Sequence, residues 1–210
     1  MRLVFASNNA HKLEEVRGIM PAGIEVLSLR DIGFESEIEE TGTTLEENSA
    51  IKAEAVYHWI LDNGHLTLDG VFADDTGLEI DALGGAPGVY TARWYRMNES
   101  TSEGVNKLTN ERDIFAANIA KALAKLKGNT ERGAQFKTVI TLIRDERVIQ
   151  VAGVVRGRIA EEAYGKGGFG YDPVFIPEGY DKTFAELPAE TKNHISHRAR
   201  ALEKLTTALT

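Results

Sequence analysis

An apolar run, Gly70-Val71-Phe72-Ala73, ends in two adjacent acids, Asp74 and Asp75, with Thr76 and Gly77 directly after them. No other stretch constrains the chain as strongly. Side chains alternate between the two faces of a strand, so a strand that delivers this pair sends one carboxylate into a cleft and its neighbour the other way. Asp, Thr and Gly are also ordinary turn residues, and a solvated turn is the competing reading. Beyond the acids, Leu78 to Leu83 alternates apolar and acidic residues as a half-exposed strand does. Gly84-Gly85-Ala86-Pro87-Gly88 reads as a loop whose glycines suit a tight turn or a close approach to a ligand.

The segments on either side alternate between strand and helix. Leu3 to Ala6 is a short apolar run that passes into Ser7-Asn8-Asn9, after which Leu13, Val16 and Ile19 or Met20 recur at helical spacing up to Pro21. The polar loop either caps this helix through Ser7 or Asn9, or offers backbone N–H groups to an anion with Lys12 in the first turn. Ile24 to Leu27 reads as a second strand. An acidic stretch, Glu35 to Glu40, then leads to Thr44-Leu45-Glu46-Glu47, a capping-box pattern that predicts a helix to about Asn63 with Ala53, Val56 and Ile60 on its inner face. Glu40 falls just before that helix, in a loop able to lean over a neighbouring cleft.

Farther along, Arg93 stands beside Trp94 and Tyr95, where it either holds a phosphate, stacks on a base or covers an apolar edge. Asn98 to Arg112 is polar and aperiodic and reads as a surface loop; Asp113 to Leu126 reads as an amphipathic helix. Phe136 to Ile143 and Val148 to Val155 predict a β-hairpin across Arg144 to Arg147. Gly165-Lys166-Gly167-Gly168-Phe169-Gly170 has the letters of a dinucleotide-binding loop, but it runs into Tyr171-Asp172-Pro173 and the strand-like Val174-Phe175-Ile176 rather than opening a helix. A glycine-rich lip beside a planar ligand, with Phe169 or Tyr171 for stacking, fits this stretch better. Pro188 to Thr210 predicts a final helix with Ile195, Ala199, Leu202 and Leu209 inward and a basic cluster at its start, Lys192 to Arg200. His194 and His197 share a helical spacing, yet no third ligand stands beside them and Arg198 repels a cation, so His194 reads as helix surface.

A chain of 210 residues suits one sizeable domain, or one domain with a lobe. Its net charge of −8 excludes a broad surface for nucleic-acid polymer and leaves room for a local basic pocket. With no cysteine, disulfides and thiolate chemistry are excluded. Met1 to Ser7 is too short an apolar run for a signal peptide and no segment is long enough to span a membrane, which gives a cytoplasmic reading. The chain therefore combines acids (Glu40, Asp74, Asp75), bases (Lys12, Arg93, Lys192, Arg198) and glycine-rich loops. Carboxylates suit Mg²⁺, and cations with loop amides suit phosphates, while the Walker pattern of P-loop NTPases is absent.

Ser7-Asn8-Asn9-Ala10-His11-Lys12, Glu39-Glu40-Thr41-Gly42, Ala73 to Leu78, Gly84 to Gly88, Gly167 to Pro173 and Ile195-Ser196-His197-Arg198, in this order over nearly the whole chain, resemble the Ham1/RdgB family of inosine triphosphate pyrophosphatases. The resemblance implies an elongated α/β fold with a central twisted mixed sheet, two lobes and a cleft between them, in a homodimer. It implies hydrolysis of ITP, dITP and XTP to the monophosphate and pyrophosphate with Mg²⁺. Carried over by motif, Ser7, Asn8, Asn9, Ala10, His11 and Lys12 would hold the triphosphate. Glu40 and Asp75 would bind Mg²⁺, Asp75 would take the proton of the attacking water, and Thr76 would touch substrate. Phe169, Gly170, Tyr171 and Asp172 would line the base pocket, and Lys192, His197 and Arg198 would contact phosphate or the 6-oxo purine. Asp74 is either a partner that supports these ligands or a further metal ligand. Ser7-Asn8-Asn9 departs from the family's commoner Thr-Gly-Asn. A pyrophosphatase for other modified nucleotides and a non-catalytic nucleotide sensor are the alternative functions.

Overall fold

The computed structural model describes residues 1–64, 67–97 and 108–209. In chain order its elements are β1 (Arg2–Phe5), α1 (Ala10–Ile19), β2 (Glu25–Leu27), α2 (Leu45–Asp62), β3 (Gly70–Ile80), β4 (Pro87–Gly88), α3 (Glu111–Lys125), β5 (Gly133–Arg144), β6 (Arg147–Ile159), β7 (Phe175–Pro177), α4 (Ala189–Ile195) and α5 (His197–Leu209). The strands form one mixed sheet in the order β2-β1-β3-β5-β6-β7, with β4 also paired to β3. β1 runs parallel to β2 and β3, whereas β4 on β3 and β7 on β6 are antiparallel. This is the mixed α/β class expected from the sequence. Among the described residues no helix is long and apolar enough to cross a membrane.

Two compact units divide the chain: Met1–Thr76 with Lys137–Val154 and Asn193–Thr210, and Gly77–Phe136 with Val155–Lys192. In the first unit β1 lies between parallel neighbours and is buried from Leu3 to Phe5, as a central parallel strand must be when both of its faces are covered. Its side chains sort by parity. Leu3 and Phe5 join Val16 of α1, Phe72 of β3, Ile140 and Leu142 of β5, and Ala201, Leu202 and Leu205 of α5. Val4 and Ala6 join Ala53, Val56 and Ile60 of α2, Val71 and Ala73 of β3, and Ile143 of β5. One face of the sheet thus belongs to α1 and α5, the other to α2. The second unit has an aromatic centre in which Phe175 lies 4.8 Å from Phe136 and 5.2 Å from Phe184.

Local chemistry explains the helix starts. Asn9 caps α1 by accepting from the Lys12 N–H at 3.0 Å, so the capping role expected of this loop is present. Both halves of the box expected at α2 are formed: Thr44 Oγ1 accepts from Glu47 N, and the Glu47 carboxylate accepts from Thr44 N. The hairpin turn is shorter than expected. Asp145 and Glu146 alone connect β5 to β6, both at positive φ, as the two-residue turn matched to strand twist requires.

Three expectations are corrected. Asp74 to Gly77 lies within a strand, as side-chain alternation favours over the competing turn, but Leu78 to Leu83 is not a separate strand: β3 runs unbroken from Gly70 to Ile80 and turns only at Asp81–Leu83. The final helix is split at Ser196, whose hydroxyl accepts from Ala199 N at 3.1 Å and so caps α5 just where α4 ends. Of the polar stretch 98–112, residues 98–107 lie outside the described residues, and Glu111 and Arg112 already form the first turn of α3 after the Asn110 cap.

Gly153 of β6 decides how closely α5 packs on the sheet, because a Cβ there would lie 2.1 Å from the His197 carbonyl oxygen and 2.4 Å from Ala201 N. Backbone cannot retreat as a flexible side chain can. Gly153→Ala is therefore expected to cost about 3 kcal/mol, the upper end of overpacking penalties, in a urea titration; an unchanged midpoint would show that α5 tolerates displacement.

Candidate active site

The parity of β3 carries on past Ala73 and divides the two acids. Asp74 continues the α1/α5 face and Asp75 the α2 face, so each acid meets a different set of partners.

On the first face Asp74 is 1% exposed. Its Oδ1 accepts from Lys12 Nζ at 2.9 Å, and its Oδ2 accepts from Arg198 Nε at 3.1 Å and Nη2 at 2.9 Å. Thr76 Oγ1 adds a hydrogen bond to Oδ2 at 3.2 Å. Arg198, almost wholly buried, also pairs with Glu15 of α1. Burial would raise the Asp74 pKa, but Lys12, Arg198 and Lys52 outweigh it and hold the carboxyl well below the usual range. Burial lowers the Lys12 pKa; Asp74 opposes that, while Lys52 and Arg198 reinforce it. Two acids, Asp74 and Glu15, here balance two bases, Lys12 and Arg198.

On the second face the balance differs. Lys52 Nζ lies 3.1 Å from Asp75 Oδ1 and 3.2 Å from Glu40 Oε2, and Asn48 Nδ2 approaches Asp75 Oδ2 at 3.4 Å. One ammonium serves two carboxylates. Burial works against the Lys52 charge, yet Asp75, Glu40 and Asp74 together raise its pKa. Asp75 is pushed up by burial and by Glu40, which Lys52 and Lys12 only partly offset. The set carries a surplus negative charge on hard oxygen donors, which suits Mg²⁺, an ion held by one or two carboxylates together with substrate phosphates. Glu40 and Asp75 are the residues that fit it, whereas Asp74 is engaged with Lys12 and Arg198. No group of three or more metal-binding side chains occurs among the described residues.

Around Lys12, Ser7 Oγ accepts from Asn9 N at 3.3 Å, and Asn8, Ala10 and His11 are exposed. His197 and Arg198 begin α5 and are buried, while His194 in α4 is exposed, so the two histidines do not form a pair.

Within the second unit Asp172 Oδ2 accepts from Phe169 N at 2.8 Å and from Lys192 Nζ at 2.6 Å. Lys192 Nζ stands 4.9 Å from the Phe169 ring centre. The lip requires glycine at 168, where φ is +70° and a Cβ would fall 2.1 Å from Asp172 Oδ2. Tyr171 is 3% exposed, and its hydroxyl donates to the Thr91 carbonyl at 3.3 Å. Half-buried Phe169, rather than Tyr171, is thus the ring with an accessible surface; Gly170 beside it is also half-buried, at φ +60°. Arg93 lies over the Tyr90 ring at 5.5 Å.

Sequence reading missed Lys52, Asn48 and Glu15. Asn48 and Lys52 are four apart, and Leu45, Asn48, Ser49, Lys52, Ala53, Val56 and Ile60 form one buried stripe of α2. Polar residues inside an apolar stripe were the available signal. Glu15 is three residues after Lys12, on the same face of α1.

The model of the Ham1 family matches residues 3–208. A dITP/XTP pyrophosphatase of Flavobacterium johnsoniae is 44% identical over 210 residues, with 100% of this chain and 98% of the relative covered. One of Bacillus subtilis is 45% identical over 210 residues, covering 98% of this chain and 96% of the relative. The solved Ham1 protein of Staphylococcus aureus has a TM-score of 0.78 at 38% identity, covering 100% of this chain and 98% of that one. The Ham1 protein of Coxiella burnetii also reaches 0.78, at 36% identity, with the same coverage.

The two acids predict opposite responses to neutralisation. Asp74→Asn removes the carboxylate paired with buried Lys12 and leaves Arg198 with Glu15 alone, and is expected to cost about 3 kcal/mol or more. Asp75→Asn removes a carboxylate whose charge is under-supported and leaves Lys52 with Glu40, so its stability is expected to stay within about 1 kcal/mol of the parent. Parallel urea titrations at neutral pH distinguish them, and equal losses would contradict the assignment. The Asp74 contribution has a definite sign: with its folded pKa depressed, it is present above the ordinary value of 3.8 and is lost as pH falls below it.

Proposed function

The chain belongs to the Ham1 family, and on that premise we propose that it hydrolyses the deaminated purine nucleotides dITP, XTP and ITP to the nucleoside monophosphate and pyrophosphate. The observation that carries the reading to particular atoms is the convergence of Glu40 and Asp75 on Lys52, with Asn48 beside them.

Water attacks the α-phosphorus; the bond from phosphorus to the oxygen bridging the α- and β-phosphates breaks, and pyrophosphate departs. Asp75, a carboxylate whose pKa burial raises, takes the proton of the attacking water. Lys52 has two carboxylate partners and exchanges one for a phosphate oxygen. Lys12 carries a charge that burial disfavours, so additional anionic oxygen near it is stabilising, and it neutralises the leaving pyrophosphate. The capped loop from Ser7 to His11 supplies backbone donors to the same phosphates. Asp74, engaged by Lys12 and Arg198, orients these cations. Mg²⁺, held by Glu40 and Asp75, would supply charge neutralisation on the phosphate oxygens and a lowered pKa for bound water. Within the second unit Phe169 stacks on the base, with Gly170, Tyr171 and Asp172 shaping the lip and Lys192 beside Phe169; His197 and Arg198, which belong to the first unit, are donors for phosphate or the 6-oxo edge in the same reading. A site built around such donors rejects 6-amino purines by about 10⁴ or more. Arg93 contacts substrate in the same reading, and the working form is a homodimer.

Incubation with ITP, XTP, dITP, ATP and GTP, with pyrophosphate and orthophosphate assayed separately, is expected to give pyrophosphate as first product and strong preference for the 6-oxo, non-guanine substrates. Chelation by EDTA should abolish turnover and added Mg²⁺ restore it. Equal rates on ATP, or orthophosphate released first, would contradict the reading. Asp75→Asn is expected to lower kcat by about 10²-fold or more, on the scale of a lost general base. Lys52→Met should lower kcat/KM by at least about 10²-fold as a lost preorganised cation, and single-turnover assays separate this from binding. Light scattering at micromolar concentration tests the dimer.

A further inference from the structure

Thr138 belongs to β5, the strand next to β3, and is buried with 0% exposure. Its side chain lies on the α1/α5 face, the face shared by Ile140 and Leu142. Thr138 Oγ1 is 2.8 Å from Thr76 Oγ1. A fully buried hydroxyl beside the aliphatic Ile140 and Leu142 of the same strand face calls for a chemical reason.

Proton counting supplies one. Arg198 Nη2 donates to Thr76 Oγ1 at 3.2 Å, so Thr76 accepts there. Thr76 owns a single hydroxyl proton, and both Asp74 Oδ2 at 3.2 Å and Thr138 Oγ1 compete for it. Asp74, gripped by Lys12 and Arg198, is an acceptor only and attracts the proton more strongly than a neutral hydroxyl does. Thr138 must then donate to Thr76. Every hydrogen-bonding capacity of Thr76 is filled: its proton goes to Asp74, and its two lone pairs go to Arg198 and Thr138.

We propose that Thr138 is a positioning residue for the nucleotide site: by donating to Thr76 it fixes the direction of the Thr76 hydroxyl and, through it, the placement of the Arg198 guanidinium against Asp74. The proposal rests on the reading that Arg198 contacts substrate; Thr76, whose hydrogen-bonding capacity is filled within the protein, acts through Arg198. Thr138 itself reaches neither substrate nor metal and acts only through Thr76. Without its donor, one lone pair of Thr76 opens to water or to a rotated hydroxyl, and Arg198 loses a fixed acceptor.

Thr138→Val keeps the shape and removes the donor, whereas Thr138→Ser keeps the donor. The Val variant is expected to raise the KM for dITP by about three- to ten-fold with kcat changed by less than about two-fold, the scale of one neutral hydrogen bond, and the Ser variant to restore the parent KM. In a Thr76→Val background the Thr138→Val change should add nothing, since its only route is gone. Thermal melts run in parallel control for folding, and affinity for a non-hydrolysable dITP analogue by calorimetry gives the same comparison without turnover. An unaltered KM in Thr138→Val, failure of the Ser variant to restore it, or a full additional loss in the Thr76→Val background overturns the proposal. Failure of the underlying reading shows separately, as a parent enzyme that turns over dITP while Thr76→Val alone leaves KM unmoved.

Discussion

Adjacent side chains on a strand cannot share a face, and the site of this protein is arranged around that fact. β3 keeps its pleat through Asp74, Asp75 and Thr76, so the apolar parity that builds the core beneath continues as a polar parity. One carboxylate is enclosed by α1 and α5, the other by α2. A break in β3 at the acids would leave both in one solvated turn, and neither the buried ion pairs nor the pushed-up Asp75 would exist.

The two faces solve different electrostatic problems. Around Asp74 charges balance, geometry is tight, and the acid stays ionised because two cations are held against it. Around Asp75 one ammonium is divided between two carboxylates, and the acid is poorly supported. The first arrangement suits a fixed scaffold and the second suits chemistry, because an under-supported carboxylate gains from a metal ion or a proton. Lys52 couples them: it raises no separate charge layer but acts on Asp74 and Asp75 alike.

Backbone constraints hold these groups in place. Ser196 ends α4 and caps α5, which sets the direction in which His197 and Arg198 leave the turn, and Gly153 lets α5 lie directly on β6. Gly168 does the same for the aromatic lip, where only a hydrogen at Cα leaves room for the Asp172 carboxylate to reach Phe169 N and Lys192. These are places where a single methyl group would shift a side chain that carries charge.

Much of this was determined by the sequence alone. Period and capping chemistry located α1, α2 and the β5–β6 hairpin, because Asn9, the Thr44 to Glu47 box and the β-branched runs act over a few residues. The order of short motifs identified the family, and the alternation rule already required Asp74 and Asp75 to part. Tertiary structure alone decided what each acid meets. Lys52 is 23 residues from Asp75 in sequence and Arg198 is 124 from Asp74, and no local period reports such distances. Thr138, Glu15 and Asn48 look like ordinary strand and helix residues until packing removes water from them. Their roles come from burial, which turns weak polar contacts into obligatory ones, and burial is a property of the folded chain rather than of any segment of it.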